Sequence, residues 1–235
     1  MTTPLPTAAP DRSPSAATPR GVVWVRRLFY AAVVLVVLFA GYLLLGWPWF
    51  SRWGASAEEA RKPLPGDELV AGTALQTTRA ITIRASAAEI YPWLRQMGVD
   101  RAGLYSYEWI ENLIGLRVKN ADRVHPEWQD TQPGDFIRYT PRDYRLNPGP
   151  GMWVVAMEPD RALVTCNGLE TEMPATCPAS ISYVLEEQGD GTTRVLIRGR
   201  SAGGTLAKVW QAIPFIMERG QLLGLRRTVE TSLGR

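Results

Sequence analysis

The sequence is short of the side chains that most chemistry depends on. Among 235 residues there is one histidine, His125, and there are two cysteines, Cys166 and Cys177. Two thiols and one imidazole cannot complete a four-ligand zinc site without a carboxylate, so no metal is expected. Gly98, Gly103 and Gly115 mark loops but form no phosphate-cradling pattern, and no cofactor is expected either. A basic stripe is also missing. The net charge of +3 resides in residues 1–51, where Arg12, Arg20, Arg26 and Arg27 oppose Asp11. The remaining residues hold 22 basic and 22 acidic side chains, and a neutral domain has no bulk electrostatic reason to bind nucleic acid.

Charge is absent altogether from residues 28–47, LFYAAVVLVVLFAGYLLLGW. Twenty helical residues span roughly 30 Å, the thickness of a bilayer's hydrocarbon core. Trp47, Trp49 and Trp53 follow, where indole rings suit the headgroup layer. The spacing predicts an anchor over 21–52, preceded by a proline-rich disordered tail over 1–20. Ala55-Ser56-Ala57 would suit signal peptidase, but the apolar run is longer than a signal peptide's usual 7–15 residues. Arg26-Arg27 before the span favours a cytoplasmic N-terminus, a single pass through the plasma membrane and an extracytoplasmic domain. Cys166 and Cys177 flank a Gly- and Pro-containing loop. A disulfide there would persist outside the cytosol, and two buried thiols are the alternative.

Residues 53–75, rich in Pro and Gly, read as a linker. From residue 76 to 235 the pattern is regular. Residues 77–84 alternate as a strand. Residues 85–97 read as a short or kinked helix, with Ser86 and Glu89 as a capping box and Pro92 in conflict. A second short helix follows at 104-LYSYEWIENLIG-115. Strands are expected at 135–141, 151–158, 161–166, 179–188 and 192–200, the last two joined by Gly189-Asp190-Gly191. Short turns between consecutive strands imply an antiparallel sheet. Residues 205–231 carry apolar positions at three- and four-residue steps, an amphipathic helix that Pro214 should bend.

This order of elements resembles the START-related helix-grip fold of the SRPBCC superfamily. The string GLYSYEWIENLIGLRVKNADRVHPEWQD, together with WGASAEEARKPLPGDEL after the anchor, is similar to membrane-anchored bacterial members of unassigned function. The resemblance covers residues 53–231. It implies an α+β fold, a curved antiparallel sheet wrapped around a long C-terminal helix with an apolar cavity between them, and it implies no single reaction.

Ile81, Ile83, Trp153, Val155, Met157, Tyr183, Leu185, Val195, Ile197, Trp210, Ile213 and Met217 are the residues expected to line such a cavity, with Trp109 beside them. Tyr105 and Tyr107 either orient a ligand at its mouth or fill the core with their rings while their hydroxyls bond to backbone. A dry core built from the same side chains is the alternative. On a helical projection of the second short helix, Trp109, Ile110, Leu113 and Ile114 share one arc, and Glu108, Glu111 and Asn112 share the other. The apolar arc is expected to face inward and the two glutamates solvent. The catalytic candidates are His125, Asp122 and Glu108, because an imidazole near carboxylates can act in acid–base chemistry. No serine or cysteine lies in an activating motif beside His125. The function expected is a membrane-anchored binding domain for a hydrophobic small molecule such as a lipid, polyketide or isoprenoid. The alternatives are a cyclase or dehydratase using the same cavity, with Tyr105 as a further acid–base candidate, and an interaction module with a closed core.

Overall fold

A computed structural model describes residues 20–72, 75–144, 151–203, 208 and 211–235. The proline-rich stretch over 1–19 therefore lies outside the described residues. Contacts divide the chain at residue 44. The first unit contains the helix α1, Arg20–Gly41, whose side chains from Trp24 to Phe39 are exposed. Among the described residues one helical run, Trp24–Ser51, is long and apolar enough to cross a membrane.

The second unit, residues 45–235, contains everything else. In chain order it comprises α2 (Trp47–Ser51), β1 (Leu75–Ile83), α3 (Ala87–Arg95), α4 (Glu108–Leu113), β2 (Phe136–Arg138), β3 (Gly151–Glu158), β4 (Ala162–Gly168), β5 (Ala179–Glu187), β6 (Thr193–Ser201) and α5 (Ala212–Ser232). The six strands form one antiparallel sheet in the order β1-β6-β5-β4-β3-β2. This is an α+β helix-grip architecture, a curved sheet with a long C-terminal helix. Local chemistry sets the boundaries. The Ser86 hydroxyl accepts from Glu89 N while the Glu89 carboxylate accepts from Ser86 N, closing the capping box that starts α3. Gly189 and Gly191 adopt φ of 70° and 80° in the β5–β6 turn, a region where a Cβ is disfavoured.

The sheet has two buried faces. On one, Ile81, Ile83, Tyr183, Leu185, Val195 and Ile197 pack with Leu222, Leu225 and Val229 of α5 in a single cluster. On the other, Ala80, Val184 and Leu196 meet Leu64. That second face explains the segment read as a linker. Residues 53–72 are strapped across the sheet. Arg198, almost wholly buried, ion-pairs with Asp67 at 2.8 Å and donates to the carbonyls of Glu59 (2.9 Å) and Lys62 (3.2 Å). Arg194 pairs with Glu59 at 2.7 Å, and Lys62 with Glu186 at 2.6 Å. Proline and glycine break a helix, but they do not prevent a chain of turns from docking where a buried cation collects its carbonyls.

Two expectations shift by sequence register. The pairing of β3 with β4 slips between Val154 and Ala156, so Val155 is an extra residue. Val154 and Met157 consequently face the α5-side core, whereas Trp153 and Val155 do not belong to it. The second shift concerns the C-terminal helix. It begins at Ala212, so Pro214 stands in its first turn, where a missing N–H leaves no carbonyl unpaired and no bend is required. Residues 204–207, 209 and 210, Trp210 among them, lie outside the described residues.

Candidate functional site

The segment before α4 is pressed onto α5 by two glycines. A Cβ at Gly224 would run into the Tyr105 carbonyl, and one at Gly220 would meet the Tyr107 ring. With that close approach available, Ser106 Oγ donates to Met217 O at 3.1 Å, and Arg219 Nη1 donates to the Tyr107 hydroxyl at 3.0 Å. Tyr105 adopts φ 58°, a left-handed conformation for a bulky residue. Its N–H is satisfied by Asn120 Oδ1 at 2.8 Å, and its hydroxyl donates to Trp93 O at 3.1 Å. Burial pushes that phenol's pKa well up. Tyr105 is thus a core residue and not a ligand contact at a cavity mouth.

The helix α4 is turned opposite to its amphipathic expectation. Glu111 is 0% exposed, whereas Trp109 is 68% and Leu113 78% exposed. The irregular segment 116–122 supplies the reason, because its backbone needs polar partners. Asn112 accepts from Val118 N (2.6 Å) and donates to Val118 O (2.9 Å), as a strand neighbour would. Glu108 accepts from Asn120 N at 3.1 Å, and Asn120 donates to Ser106 O at 3.2 Å. The polar arc of α4 bonds to this loop, with Glu111 buried and Glu108 half-buried, while Trp109, Leu113 and Ile114 of the apolar arc are left exposed and only Ile110 is half-buried. Glu111 accompanies the polar arc without gaining a partner of its own, since neither carboxyl oxygen has a hydrogen bond. Burial, with the Glu108 charge second, raises its pKa to about 7.

Between α4, the 120–122 loop and the end of α5 lies a cleft of about 750 Å³. Tyr107, Trp109 and Ala121 form its apolar part, and Glu108, Asp122 and Arg227 bring charge. Asn112, Asn120, Thr228 and Thr231 add neutral polar groups. Arg227, Thr228 and Thr231 sit on the side of α5 turned from Leu222, Leu225 and Val229. The cleft is therefore on the far side of α5 from the sheet, and not between the two as expected.

The structure sorts the remaining candidates. Glu108 and Asp122 are brought together in the cleft, but His125 is not among its lining residues. The His125 ring stacks on Trp128 at 4.1 Å, and Nδ1 meets Glu127 Oε1 at 3.0 Å. Tyr183 lies in the core, donating to Gln221 Oε1 at 3.1 Å, and burial raises its pKa to about 12. Trp153 donates its indole N–H to Leu169 O at 3.0 Å, away from the core. Met217 is half-buried against Ser106, and Ile213 is exposed. Cys166 and Cys177 are joined in a disulfide with Cα atoms 5.7 Å apart, tying the base of the β4–β5 loop. Among the described residues no three His, Cys, Asp or Glu side chains converge as metal ligands do.

Sequence reasoning missed Arg227, Thr228 and Thr231. Their signal was the Gly220–Gly224 pair, which marks the face of α5 that something must approach closely. It also passed over Gly199-Arg200-Ser201-Ala202-Gly203, which has the spacing of a nucleophile elbow. Ser201 ends β6 paired with both Leu75 and Ala179, whereas an elbow serine sits on a sharp turn into a helix.

No family model and no curated protein matches the chain. Solved structures similar to it include the Aha1 dimer from Colwellia psychrerythraea, at 18% identity over 66% of this chain and 96% of that one, with a TM-score of 0.39. Protein MLL2253 from Mesorhizobium loti is similar at 16% identity, covering 67% and 98%, with a TM-score of 0.39. A protein from Nitrosospira multiformis gives 14%, 68% and 100%, with a TM-score of 0.41. These likenesses say nothing of what this chain binds or does.

Proposed function

We propose that the chain is a membrane-anchored domain that binds a hydrophobic small molecule with a polar head, such as a lipid or an isoprenoid-like compound. The observation that carries this reading is the cleft beside α4, which Trp109 and Tyr107 line together with Glu108, Asp122 and Arg227. Aromatic walls with a few convergent polar groups suit a ligand whose body is apolar and whose head is fixed by hydrogen bonds. Its volume, about 750 Å³, is within the range of small-molecule sites. The helical run Trp24–Ser51 supports the anchor. The Cys166–Cys177 disulfide and the Arg26-Arg27 pair support an extracytoplasmic domain in the plasma membrane.

The test is native purification of the full chain in mild detergent, with extraction and mass spectrometry of what accompanies it. A defined apolar molecule is expected near one per chain. It should be lost in Trp109→Ala and weakened at least ten-fold in Arg227→Ala. A chain that carries no apolar molecule and binds no fluorescent fatty-acid probe ends this reading. An acid–base enzyme in the same cleft is the second reading, favoured by Glu108 and Asp122, two carboxylates that the fold brings together there. A change in the mass of the bound molecule during incubation, abolished in Asp122→Asn, would support it.

A further inference from the structure

The domain collects exposed apolar side chains around the first turn of α5. Ile213 is 63% and Ile216 45% exposed, on a helix that elsewhere buries Phe215, Leu222, Leu225 and Val229. Phe215, between the two isoleucines, is held by Trp49 and Phe50 at ring separations of 5.2 and 4.6 Å. Trp49 is itself largely exposed, and so is Leu45. A cleft of about 470 Å³ opens beside them, lined by Leu45, Pro48, Trp49, Arg52 and Trp53. A lone exposed isoleucine needs no explanation, but Leu45, Trp49, Ile213 and Ile216, exposed on the two helical segments that meet at the Phe215 ring, mark a surface with a partner.

Position and stiffness identify that partner. Leu45 and Trp49 belong to the closing turns of the helical run long enough to cross a membrane. After that run the chain has no slack. Phe50 O accepts from Arg79 Nε at 2.9 Å, Trp53 O accepts from Ala80 N at 3.1 Å, and the strap from Glu59 to Asp67 is held by Arg194 and Arg198. A flexible linker would let the domain float, and a strapped one holds this end at the headgroups. Charge agrees. Arg52 is exposed at the small cleft, and the Lys208 ammonium stands 5.6 Å from the Trp47 ring centroid. Indoles beside cations suit the layer where anionic headgroups meet acyl chains.

We propose that the domain is docked on the bilayer and not merely tethered to it. Leu45, Trp49, Ile213 and Ile216 are seated in the interfacial layer, with Arg52, exposed beside them, turned to lipid phosphates. The inference rests on the anchor reading above. It is tested on the full chain in nanodiscs of phosphatidylcholine with phosphatidylglycerol, using single variants Ile213→Cys, Ile216→Cys and Arg226→Cys labelled with bimane. The native cysteines are paired, so only the introduced thiol reacts. Arg226 is exposed on the same helix, roughly 20 Å further along its axis. Labels at 213 and 216 should be quenched several-fold more than the label at 226 by nitroxide lipids, and several-fold less by aqueous iodide. If the chain stays with the nanodiscs while 213 and 216 respond like 226, docking is overturned and the anchor stands. A chain that separates from the lipid overturns both.

Discussion

Glu111 shows what a single residue can do against its own chemistry. Its carboxyl is buried without a hydrogen bond and its pKa is raised to about 7. The sign follows from the direction of the shift. A raised pKa means that the folded protein tolerates the neutral acid and resists the ion. Below about pH 4.5 the group is neutral in both states and opposes nothing. As pH rises toward 7 the unfolded chain ionises first, and stability falls by up to roughly 3 kcal/mol before levelling off. Glu111→Gln should therefore leave the melting temperature unchanged at pH 4 and raise it by several degrees at pH 8, measured by circular dichroism. Equal effects at both pH values would show that the carboxyl's ionisation is not what matters. The angular pattern of α4 made both of its arcs legible. It did not say which arc faces inward, because hydrophobicity was outvoted by the unpaired backbone of 116–122.

Among the elements, the strap over 53–72 is the one whose role least resembles its composition. It is held by a cation that the sheet buries. Desolvation lowers the pKa of Arg198, and Asp67 counters that effect. Removing the partner leaves a buried charge uncompensated, which costs about 3 kcal/mol or more. Asp67→Ala should lower the unfolding free energy by that order in urea titration, and it should open residues 59–67 to hydrogen exchange. Asp67→Asn, which keeps a hydrogen-bond acceptor, should lose about half as much. If exchange in 59–67 is unchanged in Asp67→Ala, the strap is held by Leu64 and its neighbours and not by the ion pair. Other elements needed no such help. The capping box of α3 and the hairpin glycines each state their geometry locally, and the structure follows them. The bulge at Val155 could not be read ahead, since one extra residue in a strand is defined only against its partner β4.

For the whole molecule the compartment is the open question that chemistry can reach. Cys166 and Cys177 are bonded, and loop-closure entropy assigns such a bridge roughly 2–3 kcal/mol. Chain recovered from its native membrane under thiol-blocking conditions should show no free thiol. Two free thiols would place the domain on the reducing side and reverse the proposed orientation. The sequence by itself determined the apolar run, the α+β order of elements, the antiparallel ladder and the spacing of the cysteines. These are local patterns, set by periodicity, turn chemistry and the absence of charge. Tertiary structure alone decided that α4 presents its carboxylate inward, that the linker is a strap, and that the cleft opens on the side of α5 away from the sheet. The first two depend on backbone groups that needed partners, Val118 and Asn120 in one case and Glu59 and Lys62 in the other. The strap's carbonyls are satisfied by Arg198, 139 and 136 positions away from Glu59 and Lys62, and the loop after α4 is satisfied across a turn that helical periodicity does not describe.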